Sequence, residues 1–204
     1  PFHPGTGGGR PGRRPVFRHR PAGRLGPSAL AAQGFATKDG HQPVDEHGAQ
    51  LDLPDQLAKI VQDTGLQPAD LVIEVTESRL MMDRSVAMET ITRLSLMGFT
   101  LSIDDFGTGY SSLVQLIDLP FRELKIDGSF VQRSDNERKA QAIVRIAILL
   151  GQQLGMTVIA EGVETQAQLD FVRNSGCHHV QGYHFARPMP MQACTEWLLR
   201  SPTP

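Results

Sequence analysis

The sequence predicts an α/β fold in which a parallel sheet covered by helices curves into a β/α barrel. Three observations predict it. Helical periods alternate with short, mostly apolar strands from Leu51 to Leu199, the pattern of a parallel sheet with helices on its faces. Glycines 98, 155 and 176 stand where helices must stop, and each suits a left-handed residue just past a helix end. Successive strands finish in polar groups: Glu74, then Asp104 and Asp105, then Lys125 and Asp127, then Glu161, then Gln181. Polar groups gathered at the C-terminal ends of parallel strands describe the active face of a β/α barrel. A doubly wound sheet is the alternative, and it would place its ligand at a single switch point.

Residues 1–28 are rich in Gly, Pro and Arg and show no hydrophobic period. Such a segment cannot bury enough apolar surface to offset its ordering entropy. It is expected to be disordered, with a basic phosphate-touching arm as the alternative. Ala29 to Phe35 can make a turn of helix, and Asp39 to Gln50 is polar. Residues 1–50 therefore read as a disordered or aberrant segment, and residues 51–204 as the folded part.

A first helix carries Leu57, Ile60 and Val61 on one face and stops at Gly65. Pro68 to Asp70 turn the chain into a strand over Leu71 to Val75. A second helix, about Arg84 to Met97, is apolar at Val86, Ile91, Leu94 and Met97. Leu101 to Ile103 form the next strand, ending in Asp104 and Asp105. A short helix over Ser111 to Ile117 precedes Pro120, and Leu124 to Asp127 form a strand. The helix over about Glu137 to Leu154 is expected to turn Ile143, Ile146, Ala147 and Leu150 inward. Met156 to Ala160 is a strand, and Thr165 with Gln168 reads as a capping box opening the following helix. A strand at His178 to Val180 and a last helix over Met191 to Leu199, packing Trp197 and Leu198, complete the pattern.

The formal charge of −2 hides an asymmetry. Residues 1–38 hold seven Lys/Arg and no acid, so the remainder carries thirteen basic groups against twenty-two acidic ones. A body this acidic is a poor nucleic-acid binder by charge. It can hold a dianionic ligand only with help from cations or backbone amides. Two cysteines with no CxxC spacing suit a reducing cytoplasm. No apolar run approaches the roughly 18 residues of a membrane span, and the N-terminus lacks the apolar core of a signal peptide.

The chemistry centres on Asp104 and Asp105. Adjacent residues on a regular strand point to opposite faces, so two carboxylates serving one ligand belong where that alternation breaks. Side-by-side anions persist most easily where a divalent cation neutralises them. A turn with solvated aspartates is the plain alternative. For Cys177, His178 and His179, ordinary packing is the expectation, since strand neighbours diverge. Met81 and Met82 read as apolar filling.

Five stretches, taken together, resemble the EAL-domain family of bacterial cyclic di-GMP phosphodiesterases: Glu74 to Ser78, Asp104 to Ser112, Leu124 to Asp127, Ala160 to Thr165 and Gln181 to Pro188. The resemblance covers about residues 51–199 and implies a TIM-type barrel with a two-metal site for Mg²⁺ or Mn²⁺. It implies that Glu74, Asp104 and Asp105 are metal ligands, with Asp104 shared between the two ions. By the same resemblance Lys125 holds the attacking water, and Glu161 acts near the second metal as a water-mediated ligand or a base. Glu77 would brace the loop of Phe106, Gly107, Thr108, Gly109 and Tyr110. Glu164, Gln181 and Asp127 would touch substrate or support the ligands; for Glu77, Glu164 and Gln181, a cap or a structural hydrogen bond is the competing expectation. The implied partners are cyclic di-GMP, a second copy in a homodimer, and an upstream sensor or GGDEF-type domain of a longer parent, which could itself be membrane-tethered.

The chain departs from the family at its start. The defining Glu-Ala-Leu stretch and the Asn-Leu-Ser strand are absent, and only five strands are legible where a closed barrel needs eight. The barrel is thus expected to be incomplete at its N-terminal strands. Codons for Asp39 to Val44, slipped by one nucleotide, can read Met-Ala-Ile-Asn-Leu-Ser, so a frame error in the first 50 residues is one expectation. A receptor that binds cyclic di-GMP without hydrolysing it, and a truncated remnant, are the functional alternatives.

Overall fold

The computed structural model describes residues 52–77, 80, 84–109 and 113–200. The expectations for residues 1–50, for Met81 and Met82, and for Tyr110 to Ser112 lie outside them. Helix α1 (Leu53–Thr64) buries Pro54, Leu57 and Val61, and stops at Gly65 with φ 69°. A 3-10 turn (Pro68–Asp70) leads into β1 (Val72–Thr76). Helix α2 (Arg84–Leu96) returns the chain to β2 (Thr100–Phe106), and α3 (Leu113–Asp118) to β3 (Glu123–Ile126). Two helices follow, α4 (Gly128–Arg133) and α5 (Arg138–Gln153), before β4 (Thr157–Ala160). Then come α6 (Gln166–Asn174), β5 (His179–Val180) and α7 (Met191–Arg200).

The strands pair in the order β1-β2-β3-β4-β5, and every pair is parallel. An order that advances one place at a time has no switch point, so the doubly wound alternative falls. The arrangement is that of an incomplete barrel: a parallel α/β sheet wound in one direction, with five strands among the described residues. No helix among them is long and apolar enough to cross a membrane.

Register divides the sheet into two faces. Val75 is level with Ile103, Ile103 with Leu124, and Leu124 with Val158. These rows, with Leu101, Ile126 and Ala160, are apolar and form the core with Val144, Ala147 and Ile148 of α5. Glu74, Asp104, Lys125 and Glu161 fall on the alternate positions, so all four share the other face.

Three helices end as the glycines require: Gly98, Gly155 and Gly176 have φ of 91°, 71° and 86°. The inward face of α5 differs from the sequence expectation. Ala140, Val144, Ala147, Ile148 and Gly151 face the sheet, whereas Ile143 and Ile146 are 36% and 64% exposed. Small residues win this face because the helix lies close to the strands. A Cβ built on Gly151 would stand 2.4 Å from Val158 Cγ2. Gly151→Ala is therefore expected to cost about 1–3 kcal/mol through overpacking, measured by urea denaturation. In Gly151→Ala/Val158→Ala the combined cost should be less than the sum of the two, because each change makes room for the other; strict additivity would refute the close contact.

Candidate functional site

Four strand ends build the site. Lys125, near the end of β3, is 7% exposed. Its Nζ lies 2.7 Å from Glu74 of β1, 2.9 Å from Asp104 of β2 and 2.8 Å from Glu161 just past β4. Burial works to lower the Lys125 pKa, but the close carboxylates of Glu161, Glu74 and Asp104 outweigh it and hold the ammonium above its ordinary value. Burial also pushes the Glu161 carboxyl up, with Lys125 opposing. Lys125 is thus held in its charged form.

Asp105 is the residue the strand geometry should have turned away. The sequence reading ended the strand at Ile103; instead β2 runs on through both aspartates to Phe106. The alternation is broken by a register shift between Ile103 and Phe106 and by Asp105 itself, whose φ is 56°. That bulge brings a carboxylate oxygen of Asp105 within 4.8 Å of oxygens from Asp104 and Glu161. Burial, followed by the neighbouring Asp104 and Asp127 charges, raises the Asp105 carboxyl above its ordinary value. The left-handed region is sparsely populated by residues with a side chain, but Asp and Asn tolerate it best.

A loop closes over one side. Glu77 is buried, and its Oε2 accepts from Gly107 N at 3.1 Å and Gly109 N at 2.9 Å. A Cβ on Gly109 would meet Glu77 Cδ at 3.0 Å, so the loop passes directly over this carboxylate. Phe106 packs against the core, and Thr108 Oγ1 donates to Asp105 O. Asp127 caps α4, accepting from Ser129 N at 3.0 Å and from Ser129 Oγ. Gln181 Nε2 donates to Glu161 Oε1, and Glu164 Oε1 accepts from Gln132 Nε2 at 3.2 Å.

Beside the acids lies a cavity of about 410 Å³ with Gly128, Gly162 and Gly182 in its wall, edged by Gln132, Glu161, Glu164, Gln181 and Tyr183. Gln132 gave no signal in the sequence, since a lone Gln on a short helix is ordinary. Tyr183, with Arg187 stacked 4.8 Å over its ring, was visible only as part of a motif. Cys177 packs as expected, its thiol buried and pushed up to about 11 by that burial, and His179 is half-buried; His178 is exposed, with its Nδ1 accepting from Val158 N.

The donor set fits a divalent cation. Three carboxylate oxygens within 4.8 Å of one another are hard ligands of the kind Mg²⁺ and Mn²⁺ take. Asp104 Oδ1 is buried, and among the described residues it accepts no well-directed hydrogen bond, although Lys125 Nζ is near. Glu74 lies outside that trio and meets Lys125 instead.

Glu77→Ala should speed amide exchange at Gly107 and Gly109 well beyond the rest of β2, because it removes the acceptor of both. Unchanged protection of those two amides would mean that the carboxylate does not hold the loop.

Comparison with known proteins identifies the family. The EAL domain model matches residues 41–188, starting ten residues before the resemblance drawn from the motifs. The bifunctional diguanylate cyclase/cyclic di-GMP phosphodiesterase MucR of Pseudomonas aeruginosa is 42% identical over 144 residues, 71% of this chain and 21% of that protein. The cyclic di-GMP phosphodiesterase RocR of the same organism is 36% identical over 174 residues, 80% of this chain and 44% of that protein. The chain thus spans less than half the length of these relatives. Among solved structures, a P. aeruginosa MucR phosphodiesterase in complex with c-di-GMP superposes with TM-score 0.70 at 40% identity, over 74% of this chain and 62% of that one. A Klebsiella pneumoniae BlrP1 manganese/cy-diGMP complex superposes with TM-score 0.64 at 32% identity, over 70% of this chain and 37% of that one. With a matched region that takes in all five strands and the whole acidic site, the chain belongs to the EAL domain family.

Proposed function

We propose that the chain is a cyclic di-GMP phosphodiesterase domain that opens one phosphodiester to give the linear dinucleotide pGpG. The observation that carries this reading is the convergence of Glu74, Asp104 and Glu161 on one buried Lys125, with Asp105 turned in beside them.

Asp104, Asp105 and Glu161 would hold a divalent cation, Mg²⁺ or Mn²⁺, with Glu74 completing a second ion's ligands. When bound, such a cation lowers the pKa of water and offsets phosphoryl charge. Lys125 donates to the attacking water or to a phosphoryl oxygen from a fixed position between the acids. Glu161, raised by burial, is placed to receive the water's proton. Glu77 keeps the Phe106–Gly109 loop in place through the two glycine amides. The cavity edged by Glu164, Gln181 and Tyr183 receives the rest of the dinucleotide, and Asp127 sets the start of α4 beneath it. The setting is a cytoplasmic domain of a longer sensor or GGDEF-type signalling protein, acting as a homodimer.

A second reading, a receptor that binds without hydrolysis, is favoured by one fact. The carboxylate cluster among the described residues contains three ligands, and the Glu-Ala-Leu and Asn-Leu-Ser stretches that supply two more in the family are absent from the sequence. An ion held by few ligands positions water poorly, and misplacement by 1 Å costs on the order of a hundredfold in rate.

The deciding experiment incubates the chain with cyclic di-GMP and Mn²⁺, following binding by calorimetry and linear product by chromatography. The expected result is Mn²⁺-dependent binding with slow conversion, the conversion being abolished in Asp105→Asn, which keeps a residue able to occupy φ 56° and so folds normally. Binding with no conversion establishes the receptor reading. Absence of both overturns the proposal.

A further inference from the structure

Gln168 is 3% exposed and uses both the oxygen and the nitrogen of its side-chain amide. Oε1 accepts from Glu164 N at 2.8 Å and Thr165 N at 3.1 Å. Nε2 donates to Asp135 Oδ2 at 2.8 Å. The first two bonds, with Thr165 Oγ1 accepting from Gln168 N, make the capping box of α6. Capping alone is served equally by Glu or Gln. The third bond is not, because a carboxylate cannot donate to Asp135. The amide therefore does something beyond starting a helix: it ties the Glu161–Thr165 loop to the connection between α4 and α5.

Two further contacts join the same pieces. A Cβ on Gly162, at φ 64°, would stand 2.9 Å from Gly128 Cα, so the loop lies backbone to backbone on the start of α4. Gln132 of α4 donates to Glu164. Helix α4 begins two residues after Ile126, the end of the strand that carries Lys125. The segments bearing Lys125 and Glu161 are thus fastened to each other outside their own ion pair.

We propose that Asp135 and Gln168 are a positioning pair: their hydrogen bond sets where Glu161 stands relative to Asp104 and Asp105, and so sets the site's affinity for divalent cation. The inference rests on the phosphodiesterase or receptor reading of the site. Neither residue touches the acids; both act through the loop.

The test uses Gln168→Glu, which keeps both capping acceptors but faces Asp135 with a like charge. Asp135→Asn/Gln168→Glu restores a donor–acceptor bond with its direction reversed. Mn²⁺ affinity is measured on the full chain by electron paramagnetic resonance of free Mn²⁺, and amide exchange is followed at Glu164 and Thr165. Loss of a group that orients a metal ligand costs 10–100-fold in metal affinity, so Gln168→Glu is expected to weaken Mn²⁺ by about tenfold. The double variant should recover most of that loss. Asp135→Ala, on an exposed turn, removes the bridge together with the longer contact from Thr165 Oγ1 at 3.5 Å, while the amides capped by Gln168 Oε1 and Thr165 Oγ1 keep their acceptors. It should weaken Mn²⁺ in the same direction even if Gln168→Glu fails to fold. Faster exchange with unchanged Mn²⁺ affinity would reduce the pair to a structural fastening and overturn the proposal, as would a double variant no better than Gln168→Glu. A parent chain that binds no Mn²⁺ overturns the proposed function, and this inference with it.

Discussion

A single buried ammonium holds the site together. Lys125 stands among Glu74, Asp104 and Glu161, each contributed by a different strand end. Three carboxylates gathered on one face of a sheet repel one another and lose hydration; a cation at their centre is what makes the gathering tolerable. Removing one partner from such a buried cluster typically costs about 3–5 kcal/mol, because it leaves uncompensated charge behind. The sheet order and register then follow a functional logic. Strands β1 to β4 must run parallel and in sequence for their even-numbered and odd-numbered positions to bring these particular side chains to the same face. The apolar rows on the opposite face supply the driving force for folding, and the polar face uses the alignment they create.

How the chain keeps the acids close without letting them drift is a matter of backbone contacts. Glu77 accepts from two loop amides, Gly162 rests on Gly128, and Gly182 lies where a Cβ would be 2.1 Å from Val163 O. Only glycine permits approaches this close. The part of the cavity wall formed by Gly128, Gly162 and Gly182 is therefore main chain, which cannot change rotamer. A fixed backbone and a charged centre both help to place a ligand accurately.

Much of this was legible in the chain. The glycines that end α2, α5 and α6 announce themselves because a left-handed residue is needed there, and the Thr165–Gln168 capping box is a local pattern with a local cause. The polar strand ends identify the active face because strand termini in a parallel sheet leave the hydrophobic rows. Other features were hidden for physical reasons. The inner face of α5 was misassigned because Ile143 and Ile146 outrank Ala140 and Gly151 in hydrophobicity, while the sheet selects for small volume. The continuation of β2 through Asp105 was hidden because a bulge is a relation between two strands, not a property of one. The Asp135–Gln168 bond spans 33 residues, and no short-range pattern announces a pair that far apart.

The bulge at Asp105 also has a genetic dimension. Its φ of 56° admits few residue types without strain: glycine, asparagine and aspartate. Aspartate codons lie one base change from those of asparagine and of glycine. At this position the substitutions that the backbone accepts most readily are thus also the ones a lineage reaches most easily, and each removes the carboxylate while sparing the fold. On the proposed function, hydrolysis would be shed here by one point mutation that leaves the backbone around the cavity unchanged. On that reading the passage from enzyme to sensor of the same molecule would be short, and the geometry of one strand makes it so.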